Sequence, residues 1–307
     1  MEHQGSQKKL PEEKTITQQI KLIEIDLSRT SLEELPDFQN RFQYCTTLNL
    51  SGNNLKGGIP CLRNLKRLRW IDLSHNSLTK LSDVCGSIST LMHLNISHNN
   101  ISELPEWILY LDKVIELNLG YNPISTTFQK SYQVAKWKIL QVCNLENSHL
   151  ITVPKCLESA PNLKELYIGN GIPDSQSTAN KLSFIPKLLP SSLHCIEISH
   201  LGIVNLESNW SSLDNLKELR ARGNYISWFS YDLMLLSSLQ VCDLSNNQLT
   251  FIPKDFGLLK NLYYINLAFN RITALPQSFE DLKHLKHLDL YSNLVEGIEF
   301  DFANLSR

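Results

Sequence analysis

Apolar and polar positions along this chain alternate over short runs, and the runs recur at a fixed distance. Leu48 and Leu50 precede Asn53, Ile71 and Leu73 precede Asn76, Leu94 and Ile96 precede Asn99, and Leu117 and Leu119 precede Asn122. The four asparagines are 23 residues apart each time. Period-two alternation predicts a short strand with its leucines inward and the intervening residues outward. A constant period in the twenties predicts that such strands stack into a solenoid. Between strands, runs such as "PEWILYLDKV" (105–114) carry apolar residues at near-helical spacing. They predict short helical or 3-10 segments on the convex side.

The template L-x-x-L-x-L-x-x-N fits twelve times, from Leu22, Ile25, Leu27 and Thr30 to a last group that closes on Asn224, Asn247, Asn270 and Asn293. The asparagine sits where the chain leaves the strand, and its amide both donates and accepts. Stacked amides are therefore expected to satisfy backbone groups in the buried turns. Two intervals break the period. Asn122 to Ser148 spans 26 residues, and "FQKSYQVAKWKIL" (128–140) predicts a longer convex helix. Gly171 to Leu201 spans 30, and the polar run 171–182 predicts a protruding loop. The repeats ending at Ser148, Gly171 and Leu201 read as having lost the asparagine.

On these residues the chain resembles leucine-rich repeat proteins from about residue 21 to its end. Continuations such as "LEELP" (32–36), "ISELP" (101–105), "LTFIP" (249–253) and "ITALP" (272–276) are similar to the cytosolic repeats of signalling scaffolds. The resemblance implies an α/β horseshoe of about twelve parallel strands on the concave face, with short helices or 3-10 segments behind. It also implies signalling proteins, such as phosphatases or small GTPases, as partners. The expected organisation is a polar flank over 1–20 and one repeat domain over 21–307.

Charge and cysteine content narrow the picture. Lys plus Arg number 29 and Asp plus Glu 31, for a formal charge of −2, which gives no overall field to gather nucleic acid. No apolar run reaches the ~18 residues of a membrane span, and the charged N-terminus does not read as a secretory leader. Seven cysteines are present. Cys45, Cys143 and Cys242 occupy inward apolar slots and read as small buried hydrophobes. Cys61, Cys85 and Cys156 fall on convex segments and Cys195 on an outward strand position, with no shared site. Reduced thiols point to a cytoplasmic protein, or a nuclear one. The N-x-[ST] triplets at Asn49, Asn95, Asn100, Asn209 and Asn304 read as silent by-products of the repeat.

No phosphate loop, H-E-x-x-H, nucleophile elbow or C-x-x-C motif is present, so no catalytic, cofactor or metal residue is assigned. His75 and His98, equivalent in adjacent repeats, are expected ~5 Å apart, and without a third ligand they read as turn residues. Binding is the better prospect. Outward strand positions include Asp26, Asn49, Asp72, Asn95 and Asn118 as a middle column, read as generic solvation. Larger outward residues are candidate protein contacts: Trp70, Tyr167, Arg220, Arg222, Tyr264, His287 and Tyr291, with Phe269 on the adjoining turn. Arg220 has an alternative reading as a partner of Asp243. The expected function is a non-enzymatic scaffold or adaptor that binds protein. The alternatives are a ligand-sensing receptor-type array and a regulatory subunit of an enzyme. Finally, "FDFANLSR" with Phe300, Phe302 and Leu305 reads as the lead-in to a thirteenth repeat, which predicts an uncapped C-terminal end open to association.

Overall fold

The structure, a computed structural model, describes residues 23–35, 43–57, 62, 65–82, 88–124, 137–158, 160–171, 179–182, 185, 189–207 and 209–298. Twelve strands of three residues follow one another: β1 (Glu24–Asp26), β2 (Thr47–Asn49), β3 (Trp70–Asp72), β4 (His93–Asn95), β5 (Glu116–Asn118) and β6 (Val142–Asn144), then β7 (Glu165–Tyr167), β8 (Cys195–Glu197), β9 (Glu218–Arg220), β10 (Val241–Asp243), β11 (Tyr264–Asn266) and β12 (His287–Asp289). They form one open parallel sheet whose spatial order is the sequence order. Each strand centres on the first apolar residue of its L-x-L core rather than on the residue between the two. The second apolar residue is the first position past the strand.

Register follows the repeat. Leu48 pairs with Ile71 and Ile71 with Leu94, so the same template position lies side by side along the array. The inward residues consequently build one continuous apolar layer, with Leu48, Leu50, Ile196, Leu219 and Leu244 all fully buried. Short 3-10 segments close the other side, among them Glu106–Tyr110, Tyr231–Leu235, Lys254–Leu258 and Gln277–Asp281. Their rings also stack: Phe256 lies 5.2 Å from Phe279. The expected helix or 3-10 segment of 105–114 thus resolves as 3-10 over Glu106–Tyr110, whose ~2.0 Å rise suits a short return. Cys45, Cys143 and Cys242 are buried as expected.

What locks one turn to the next is the asparagine amide. Asn76 accepts the Leu55 N–H at 3.1 Å and donates to the Leu50 and Leu73 carbonyls at 3.0 Å each. Asn99, Asn122, Asn247 and Asn270 repeat the pattern. Each side chain satisfies buried groups in two consecutive repeats, groups that would cost ~1–3 kcal/mol apiece if left unpaired.

The repeat ending at Gly171 corrects the sequence reading. Asn180, buried, accepts from Ser148 N and Leu150 N at 2.8 Å and donates to Leu145 O and Ile168 O at 2.8 and 2.9 Å. Those are the groups that an asparagine in the Gly171 slot would serve. The asparagine is displaced nine residues along the chain and returned to its place in space. Asn170 holds it there, accepting Asn180 N–H at 2.7 Å and donating to the Asn180 and His200 carbonyls. Ser148 and Leu201 do lack the amide, and Asn180 and Asn224 of the following repeats accept their backbone N–H groups. Most of the loop expected over 171–182, most of the helix expected over 128–140, Cys61, Cys85, the flank 1–20 and the end 299–307 lie outside the described residues.

Two predictions follow from this packing. Asn180→Ala should cost roughly 2–4 kcal/mol, close to the loss from Asn247→Ala, measured by chemical denaturation. A loss no larger than an exposed loop substitution (~0.5 kcal/mol) would show that Asn180 does not carry the ladder. The thiols give the second. Burial holds Cys143 well above the usual range and pushes Cys242 up to about 12. Because the folded value is raised, the stabilisation is whole below the unfolded thiol pKa and declines as pH rises from there toward 12. Both thiols should resist alkylation at pH 8 until denaturant unfolds the chain, and stability should fall above pH ~9. Rapid labelling of either thiol in the native protein would contradict the register.

Candidate functional site

Outward residues form three columns on the open face of the sheet: the first and third residues of each strand, and the residue two past it. The third position has a definite structural duty. The side-chain oxygen of Asp72 accepts the Ser74 N–H at 2.8 Å, Asn95 that of Ser97 at 3.1 Å, and Asp243 that of Ser245 at 3.0 Å. Asp26, Asn49, Asn118, Asn144, Asn266 and Asp289 do the same, and Glu197 reaches Ser199 N at 2.7 Å. The column read as generic solvation is therefore a ladder of Asx-type turns.

Two strands depart from it, and both carry candidate residues. Tyr167 turns its hydroxyl to Glu165 on the same strand, donating at 2.8 Å. Burial and that carboxylate hold the phenol well above its usual range. Arg220 donates to Glu218 at 2.6 Å, with both side chains partly exposed. Its partner is thus Glu218, two residues back on the same face, and not Asp243. Between them sits Cys195, buried, its Sγ 4.0 Å from Glu218 Oε2 and its thiol pushed up to about 12 by burial and the neighbouring carboxylate.

The remaining candidates separate into three places. Trp70 stands on β3, half-buried beside Thr47 and His93. Tyr264 and His287, first residues of β11 and β12, stack at 4.5 Å with ring planes 6° apart. Phe269 and Tyr291 meet edge-on at 5.3 Å on the rim where the chain leaves β11 and β12. Arg222, exposed, lies two residues past β9, and its charge lowers the pKa of His200 after burial.

Phe269 belongs to a column of left-handed residues that the sequence reading missed. The residue before the asparagine slot has positive φ at Arg29, Gly52, His75, His98, Tyr121, Asn147, His200, Gly223, Asn246, Phe269 and Ser292. Left-handed backbone costs a non-glycine residue ~1–2 kcal/mol, yet Phe269 is 50% exposed. In the same column His75, His98 and Tyr121 stack at 4.1 and 4.0 Å. Burial, with the charge of His75 second, lowers the pKa of His98. No group of three or more His, Cys, Asp or Glu placed for a metal occurs among the described residues.

The three columns also segregate charge. First positions carry Glu24, Glu116, Glu165 and Glu218; third positions carry Asp26, Asp72, Glu197, Asp243 and Asp289; Glu146 lies two past β6. Against these ten carboxylates stand two guanidiniums, Arg220 and Arg222. Since the whole chain is only −2, the remainder is net positive. Arg69, Lys164, Lys217 and Lys286, each one residue before a strand and exposed, line the opposite rim.

Comparison with known proteins agrees with this geometry. A leucine-rich repeat family model matches residues 66–124, 237–295 and 260–307, and a second such model matches 44–65. A 71-residue stretch, 23% of the chain, is 44% identical to the receptor-like protein CLAVATA2 of Arabidopsis thaliana, of which it spans 10%. An internalin from Listeria monocytogenes superposes with a TM-score of 0.69 at 20% identity, covering 89% of this chain and 74% of the internalin. In the Drosophila Toll–Spätzle complex, one chain superposes with a TM-score of 0.70 at 21% identity, covering 92% of this chain and 38% of that one. No described helix is long and apolar enough to cross a membrane.

If the third strand position serves the turn, its loss should be felt only where a turn uses it. Asn95→Ala is expected to lower stability by ~1 kcal/mol, and Arg220→Ala, a partly exposed position outside the ladder, by less than ~0.5 kcal/mol, both measured in denaturant. Equal losses at the two positions would remove the distinction.

Proposed function

We propose that this chain, which belongs to the leucine-rich repeat superfamily, is a protein-binding scaffold or adaptor that works through the open face of its sheet. The observation that carries this reading is the pair of ring contacts on β11 and β12. Tyr264 and His287 stack on the face, and Phe269 and Tyr291 meet at its rim, with Tyr291 68% exposed. Aromatic residues bury much area at small entropic cost, so four of them in two adjacent repeats are an economical anchor for a protein surface. The left-handed backbone at Phe269 adds to this, because a costly conformation is retained with the ring left half in water. No covalent chemistry is assigned to the face, and binding is by shape and side-chain complementarity.

An intracellular signalling role fits the thiols. Cys45, Cys143, Cys195 and Cys242 are free and buried, as expected of a chain that uses cysteine as a small hydrophobe in a reducing compartment. The amides of Asn49 and Asn95 are engaged within the face: Asn49 accepts from Ser51, and Asn95 accepts from Ser97 and donates to Asp72 at 3.0 Å. A glycan on Asn95 Nδ2 would crowd its contact with Asp72 on the neighbouring strand. The second reading, a ligand-sensing array of receptor type, draws on the identity with CLAVATA2 over 71 residues. Glycans at the exposed Asn100 or Asn209 in protein from its native source would favour it.

The test is a partner captured under native conditions, identified, and titrated against variants. Tyr264→Ala with His287→Ala, and separately Phe269→Ala with Tyr291→Ala, should each cost ~2 kcal/mol of binding or more. Leu235→Ala with Leu258→Ala, exposed apolar positions on the 3-10 side, should leave affinity unchanged. Equal losses from the 3-10 side would place the partner elsewhere.

A further inference from the structure

The charge segregation of the open face has a direction that the aromatic anchor does not explain. Five carboxylates, Glu116, Glu146, Glu165, Glu197 and Glu218, fall on or just past five consecutive strands, β5 to β9. Their compensation within the chain is partial, and both guanidiniums of the face, Arg220 and Arg222, lie at the β9 end of the run. His93 lies 3.1 Å from Glu116, and Arg220 is engaged by Glu218 while its field also reaches Glu197. Glu165 accepts the Tyr167 hydroxyl and Glu197 a backbone N–H, both uncharged donors. Burial, with the charge of Glu146 adding to it, raises the pKa of Glu197, and burial also raises that of Glu146. Like charges in successive repeats lower the stability of the free protein. A ligand of opposite sign would relieve them.

We propose that the open face between β5 and β9 docks an extended lysine- or arginine-rich segment of the partner polypeptide. The proposal rests on the binding role argued above and specifies the chemistry of what is bound. Charge complementarity selects the sign, since five carboxylates against two guanidiniums leave the face between β5 and β9 net acidic, which repels an acidic segment and attracts a basic one. Length selects a chain over a compact ion. Four strand spacings of ~4.8 Å make ~19 Å, the span of about six extended residues. The stacked Tyr264 and His287 lie two strands further on, at β11 and β12, so a segment running along the array reaches the aromatic anchor. The basic rim of Arg69, Lys164, Lys217 and Lys286 would turn away a cationic chain approaching from that side and confine it to the face.

The experiment uses the full chain and a labelled twelve-residue peptide of alternating lysine and alanine, read by fluorescence anisotropy. Binding should weaken steeply with salt, and a peptide with glutamine in place of lysine should not bind. In the variant Glu146→Gln, Glu165→Gln, Glu197→Gln, each side-chain acceptor oxygen is kept and only charge is removed. Affinity for the lysine peptide should fall about tenfold or more, while the thermal midpoint of the free protein rises. Arg220→Gln should tighten binding, because it frees Glu218 and Glu197. Unchanged affinity in the triple variant, a lowered midpoint, or spermine binding as tightly as the peptide would each overturn the proposal. These outcomes are separable from failure of the binding role itself. If the native partner loses affinity on substitution of Tyr264 and His287 but not on charge removal, the face binds protein and only its basic chemistry is wrong.

Discussion

Asparagine amides buried in the turns hold this molecule together. A parallel array with three-residue strands has little ladder of its own, and each repeat leaves N–H and C=O groups inside a turn that water does not reach. The amide of asparagine, with donors and an acceptor on one short stem, bridges two repeats at once. Asn76 serves Leu55 on one side and Leu50 and Leu73 on the other. Because that bond is made inside the turn, the outward columns are released from holding the fold. What they then carry is open to selection for binding.

The release is incomplete, and its pattern is informative. Most third strand positions still serve the turn that follows, through Asp, Asn or Glu oxygens. Tyr167 and Arg220 have left that duty and instead form same-strand contacts with Glu165 and Glu218. They do so in the middle of the array, where the asparagine is displaced by an insertion at Asn180 and absent at Leu201. The middle of the molecule is where the repeat is least regular and where five consecutive strands each bring a carboxylate to the face, while the exposed rings gather at β11 and β12.

Much of this was legible in the chain. The 23-residue period, the number and order of the strands and the buried cysteines follow from alternation and spacing, because every repeat meets the same neighbours. Asn180 was not legible by counting. An insertion moves the residue along the sequence without moving it in space, so the slot at Gly171 looked empty. The Asx turns had a sequence signal, the recurring Asp/Asn-x-Ser of residues 26–28, 49–51, 72–74, 95–97 and 243–245, which the reading of the column as solvation passed over. The pairing of Arg220 with Glu218 was likewise implicit, since residues two apart on a strand share a face. The acidity of the open face was hidden by the near-neutral total and emerges only when charges are sorted by column.

Residue-resolved hydrogen exchange on the free protein tests most directly the claim that turn-buried asparagine amides hold the array and free its face. The backbone N–H of Leu78 is held by Asn99, and that of Leu150 by the displaced Asn180. The account predicts that both exchange with comparable, strong protection, each lost when its asparagine is replaced by alanine. A Leu150 amide that exchanges as fast as exposed loop residues, while that of Leu78 stays protected, would contradict it.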